Sequence, residues 1–194
     1  MRNIVTTAAV LAIVALAGCS TTSVKHAPSA PASSSQPAAA SPAAEPSSSE
    51  PDLSGPLGSQ YEVTTQDESG NDIKYDVTAV KLLDPARGSD EFEVPDSGKR
   101  FVGVKFEITG SGGYAHDNAN NDALIQGSDG QTYDADFSSI SAGTNFNSGD
   151  FGVTSGRTQS GWVTFQLPKG VSVAEIQWQP NSFSDQQPAV WTVH

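Results

Sequence analysis

The sequence predicts an all-β domain, an antiparallel β-sandwich of seven or eight short strands. Three observations over residues 58–194 carry that expectation. Short runs alternate apolar and polar residues with period two, which is the signature of a strand with one buried face. Gly, Asn, Asp and Ser interrupt those runs at short intervals, as turns require. No stretch shows the 3.6-residue periodicity of a convincing helix.

Taken in order, the first run is 61–65, with Tyr61, Val63 and Thr65 on one face. After the turn-forming stretch DESGND, the run 73–80 sets Ile73, Tyr75, Val77 and Ala79 inward. The run 100–109 sets Val102, Val104, Phe106 and Ile108 inward, against Lys105 and Glu107 outward. Runs 123–126 and 131–137 flank Ser128-Asp129-Gly130, and Asp-Gly is a strong hairpin signal. Run 161–167 points Val163, Phe165 and Leu167 inward, and run 174–178 does the same with Ala174, Ile176 and Trp178. The run 189–193 closes the series.

The chain ahead of these strands is of a different kind. Arg2 is a short positive n-region, and Ile4–Ala17 is an apolar stretch of signal-peptide length, too short for a comfortable membrane span. It ends in Leu16-Ala17-Gly18-Cys19, where each position suits the bacterial lipobox of an aliphatic residue, two small ones and a cysteine. Cys19 is the only cysteine, so it has no disulfide partner within the chain. The expectation is a signal peptide over 1–18, cleavage before Cys19 and lipid on its thiol. Two or more acyl chains then give stable anchorage, whereas one gives marginal binding.

Residues 19–57 read as a disordered linker. From Ser20 to Leu57 there are seven of the twelve prolines, four charged residues and no aromatic ring. Such a composition cannot bury enough apolar surface to offset the entropy of ordering. Its reach would be about 35 Å as flexible coil. Drawn into polyproline II it would span about 120 Å.

From Cys19 onward, nine Lys and Arg face 22 Asp and Glu, a net charge of about −13. Nucleic acid and electrostatic adhesion to anionic lipid both call for basic patches and are not expected. The lipid on Cys19 is therefore the expected contact with the membrane, on its extracytoplasmic face.

The blocks 98–110, 128–137, 155–170 and 174–178, in that order, resemble a bacterial immunoglobulin-like family, that of domain of unknown function 4352. That family is common on lipoproteins of actinobacteria and other Gram-positive bacteria. A looser similarity extends to small secreted immunoprotective antigens of mycobacteria. The resemblance implies an immunoglobulin-like sandwich on a lipid tether and brings no catalytic set. It also leaves two loops longer than is usual for the family, 110–122 and 141–156, where binding would reside.

Candidate chemistry is sparse. A Ser-His-Asp site needs a histidine beside a nucleophile, yet the domain has only His116, in an Asn/Asp/Gly loop, and His194. Soft-metal and structural zinc sites lack ligands, since Met1 is the single methionine. Neither enzymatic activity nor a cofactor is expected. Calcium would draw on Asp117, Asn118, Asn120, Asp122 and Asp129, but the glycine and terminal glutamate of a calcium loop are missing. Turn formation by these side chains is the simpler reading.

The acidic run 89–96 lets Phe92 and Val94 pack inward with Asp90, Glu91, Glu93 and Asp96 in water. It reads either as a solvated loop or as a docking surface for a basic partner. Tyr114 falls in a glycine-rich loop, and Trp162 alternates to the outer face, where it would pack across strands.

Two functions are thus compatible with the residues. One is a membrane-anchored protein-interaction or adaptor module; the other is a lipoprotein that binds a cell-wall glycan, calcium or a small solute through its long loops.

Overall fold

The computed structural model describes residues 53–66, 69–146, 149–180 and 187–194. The expected signal peptide, the lipidation site Cys19 and most of the expected linker lie outside these residues. The described part belongs to one compact unit, Ser48–His194.

Among the described residues, eleven strands and one helical turn make up the fold. They are β1 Ser54–Pro56, β2 Gln60–Gln66, β3 Asp72–Ala86, β4 Lys99–Gly112 and β5 Tyr114–Asn118. The turn α1 Ala119–Asp122 follows, then β6 Ala123–Gly127, β7 Thr132–Asp136, β8 Asp150–Thr154, β9 Thr158–Pro168, β10 Val173–Trp178 and β11 Ala189–Thr192. Among the described residues no helix is long and apolar enough to cross a membrane.

The all-β sandwich is as the alternation predicts, with more strands than the seven or eight expected. Nine strands follow the order β1-β11-β10-β6-β7-β9-β4-β3-β2, while β5 and β8 pair separately. All pairings are antiparallel except that of β1 with β11. Strand β7 is the corner of the sandwich: it pairs with β6 through three residues and with β9 through only Ala135 and Asp136.

The chain folds over at that corner, so its two halves face each other. Trp191 Nε1 donates to Ser59 O at 2.7 Å and Tyr61 Oη donates to Val190 O at 3.2 Å, closing the far edge. The additional strand β1 falls within the stretch whose composition reads as linker. Leu53 and Leu57 flank it and pack against the core, which is enough to recruit three residues onto β11.

Between the halves lies the core. Every side chain placed inward on β2, β3, β4 and β9 is buried, as are Ile176 and Trp178. Ala174 is only half-buried, because a register shift between Val173 and Glu175 turns Val173 inward instead. Aromatic rings bridge the halves, with Phe106 and Trp178 5.0 Å apart and Phe106 and Trp191 6.0 Å apart.

Trp178 Nε1 donates to Tyr75 Oη at 3.1 Å, which satisfies both groups in a dry environment. Burial, together with the negative charge of Asp122, pushes the Tyr75 phenol well above its ordinary value of 10.0. The neutral phenol is therefore the form the fold selects. Stability from this group is fully present below pH 10.0 and declines as pH rises beyond it, since the unfolded chain then ionises first. The expected slope is about 1.4 kcal/mol per pH unit. Tyr75→Phe should abolish that slope in urea unfolding between pH 10 and 11. At pH 7 it should cost about 1–3 kcal/mol, because Trp178 Nε1 loses its acceptor.

Candidate functional site

The two long loops expected to carry binding do not remain loops. Part of each forms a strand, β5 and β8, and these pair with each other from Tyr114–Thr154 to Asn118–Asp150. Ala115, Phe151 and Val153 face the core, so the small sheet caps the sandwich. Tyr114 and His116 project from the opposite face of β5, two residues apart, with rings stacked at 6.2 Å and 23°. Tyr114 lies over Gly152, whose missing Cβ leaves room for the phenol.

A cleft of about 610 Å³ opens between this ring pair and the β2–β3 end of the sheet, where Thr65, Asp72, Asn118 and Asp150 line it. The side chains considered for calcium serve the local structure, as turn formation predicts. Asn118 Oδ1 accepts from the Asn120 and Asn121 amides and caps α1, while its Nδ2 donates to Asp150 Oδ1 at 2.8 Å. Asp129 accepts from Gln131 N and Tyr133 Oη on the β6–β7 turn. Asp122 is buried beneath α1. Among the described residues, no three His, Cys, Asp or Glu side chains are grouped to hold a metal.

The outer face of the sheet carries a second site. Residues 137–146 leave β7, cross that face and return beside β9, where Asn145 bridges to Trp162. Asn145 holds this strap in shape: its Oδ1 accepts from Ile140 N, and its Nδ2 donates to Ile140 O and Gly143 O. Beneath it Phe101, Ile140 and Trp162 form a separate apolar cluster. Trp162 thus sits on the outer face as its alternation predicts, but is only 5% exposed under the strap. Gly103 makes this possible, since a Cβ there would collide with Ile140 Cδ1.

Beside the strap runs the acidic segment. Its alternation does not place Phe92 and Val94 inward: they are 84% and 66% exposed. The segment is a turn, not a strand, so period two does not govern it. Asp90 Oδ1 accepts from the Phe92 and Glu93 amides, and Val94 N donates to Phe92 O. Both ends are pinned to the β7–strap segment. Ser89 N donates to Ser139 O, Asp96 N to Gln166 Oε1, and Gln166 Nε2 to Asp136 Oδ2. Phe137, 79% exposed, lies between those anchors.

Three of the four exposed large hydrophobics among the described residues therefore emerge from two adjoining loops. Acidic residues Asp90, Glu91, Glu93 and Asp96 accompany them. Sequence alternation gave neither their exposure nor the hydrogen bonds that join the two loops.

The architecture defines an immunoglobulin-like β-sandwich whose distinctive surfaces lie on its loops and outer face. The family model described as Domain of unknown function (DUF4352) matches residues 62–189, and the chain belongs to that family. In structure it is similar to MPT63, a secreted protein from Mycobacterium tuberculosis. That likeness has a TM-score of 0.50 and 18% identity, covering 75% of this chain and 100% of the other. The ycdA protein of Bacillus subtilis, thought to be a lipoprotein, gives 0.46 at 11% identity over 61% of this chain and 36% of its own. The yjhA protein of the same species gives 0.43 at 9% identity, over 62% and 91%. No curated protein matches the sequence.

Proposed function

We propose that this chain is a non-catalytic protein-interaction module, held at the extracytoplasmic face of the cell membrane by lipid on Cys19. It docks a basic segment of a partner protein on Phe92, Val94 and Phe137. The observation that carries this reading is the gathering of those three exposed apolar side chains on neighbouring loops beside four carboxylates. Exposed apolar groups with a charged rim mark protein contacts. The acidic rim selects a cationic partner and repels others. Export is supported by the signal-like segment 1–18 and by the fold shared with a secreted mycobacterial protein.

Cross-linking in living cells, on the full chain with its native anchor, tests the docking surface. A recurrent partner is expected, joined through a Lys- or Arg-rich segment to loop 89–96 or to residues near Phe137. The double substitution Phe92→Ser/Phe137→Ser should abolish the cross-link while shifting stability by no more than about 0.5 kcal/mol, because both rings are exposed. An identical cross-link pattern in the double variant would refute the surface.

The stacked Tyr114–His116 pair beside Asp72 and Asp150 favours a second reading, a glycan held by ring stacking and hydrogen bonds. Recovery of wall glycan alone, lost in Tyr114→Ala, would place function in that cleft.

A further inference from the structure

Under the strap, next to the proposed docking surface, the outer face holds a recess of about 190 Å³. Asp136 and Thr164 form its floor. They are direct cross-strand partners on β7 and β9, so their side chains rise side by side on the same face. Asn120 enters from α1, Trp162 and Phe146 supply aromatic wall, and exposed Phe137 stands at the mouth.

Two polar atoms here are buried without a hydrogen-bond partner, Thr164 Oγ1 and Asn120 Oδ1, and Thr164 is only 2% exposed. Buried polar groups are almost always satisfied, so orphan atoms lining a recess point to an occupant. Other parts of the fold do not satisfy them. The Asn145 amide is engaged on Ile140 and Gly143, and the nearby Lys99 ammonium is held by Asp96 at 3.0 Å.

The recess is acceptor-rich and anionic. Each Asp136 oxygen accepts one hydrogen bond, Oδ1 from Ser138 N and Oδ2 from Gln166 Nε2, which leaves further acceptor capacity on both. Burial opposes ionisation of this carboxyl, but the Ser138 and Gln166 hydrogen bonds and the Lys99 charge outweigh it and hold it below its ordinary value. An anion is disfavoured there. Calcium calls for six to eight oxygens and usually several carboxylates. A primary ammonium has three N–H donors, matching Asp136, Thr164 Oγ1 and Asn120 Oδ1, and its alkyl stem suits the aromatic wall and mouth.

We propose that this recess, floored by Asp136 and Thr164 and closed by Asn120, binds a primary ammonium. Resting on the docking reading above, it receives the lysine ε-ammonium of the partner's basic segment. Phe92, Val94 and Phe137 then hold the surrounding peptide, and the recess reads one lysine within it.

N-acetyl-lysine methylamide is the probe, titrated into the isotope-labelled full chain in detergent micelles and followed by amide NMR. Saturable shifts are expected at Thr164, at Asp136 and in the Asn120 side-chain amide. N-acetyl-norleucine methylamide, of similar length without the charge, and equimolar sodium chloride should not produce them. Thr164→Val and Asp136→Asn should each weaken binding at least tenfold while retaining the native spectrum elsewhere. The proposal is overturned if sodium chloride reproduces the shifts or if neither variant affects them. It is also overturned if a crystal grown with saturating probe shows only water on Thr164 and Asn120. Phe92→Ser separates the two readings, because it removes a docking ring without touching the recess. In Phe92→Ser, probe binding that persists together with the parent's full cellular cross-link would sink docking alone. A cross-link that survives Thr164→Val and Asp136→Asn, with no probe binding, would sink the recess alone.

Discussion

Trp178→Ala is expected to destabilise the domain by about 3–5 kcal/mol, the range for removing a fully buried indole. That is a large share of the roughly 5–15 kcal/mol that holds a domain together. Trp178 is fully buried on β10. Its ring meets Phe106 on β4 at 5.0 Å, Phe151 on β8 at 6.0 Å and Tyr75 on β3 at 6.4 Å. It therefore joins both halves of the sandwich and the β5–β8 cap in one contact set. The substitution leaves a cavity and strips Tyr75 Oη of its donor. Urea unfolding of the variant at pH 7 checks the magnitude, with Phe92→Ala as the exposed comparison, expected within about 0.5 kcal/mol of the parent. A loss below 1 kcal/mol at Trp178 would mean that the two halves do not depend on this ring.

Cys19→Ala should either release the protein from the membrane fraction or leave it as an uncleaved precursor that keeps the apolar stretch 4–17. The expected change is large, because the proposed hold on the membrane is the lipid on Cys19. With a net charge of about −13 from Cys19 onward, anionic lipid repels the domain. Two buried acyl chains would anchor stably, and the variant forms neither. Fractionation with mass measurement of the mature N-terminus decides the matter. A normally processed, membrane-bound Cys19→Ala protein would remove the lipid tether from consideration.

Period-two alternation located most of the strands and nearly all of the inward-facing residues, because a buried strand face must be apolar at every second position. It failed where a local irregularity changed the phase. The register shift at Val173–Glu175 exchanged Ala174 for Val173. Within 89–96 the Asp90-capped turn breaks the alternation, and Phe92 and Val94, expected inward, go to solvent. Trp162 lies on the outer face as its alternation predicts, but it and Phe101 are buried together with Ile140 of the strap. Nothing local signals that cover, since it depends on Ile140 seating over Gly103 from nearly forty residues away.

The candidate sites were less legible still. Asn and Asp in 117–122 were readable as turn formers, and Asn118 does cap α1 and tie β5 to β8. That 110–122 and 141–156 would pair into a cap over the core was not readable, because either segment alone has too little apolar alternation to declare a strand. The acceptor recess depends on Asp136, Thr164 and Asn120 meeting from three elements, and the proposed docking surface on two loops tied by Gln166.

By itself, the sequence determined the all-β class, the family and the faces of the long strands. These follow from local alternation, turn chemistry and ordered blocks, which act over a few residues. Tertiary structure alone decided the corner at β7, the second cluster under the strap and the exposure of Phe92, Val94 and Phe137. It also left Thr164 Oγ1 and Asn120 Oδ1 without a hydrogen-bond partner. Each of these arises from contacts between segments far apart in the chain, whose geometry exists only once the sandwich has closed.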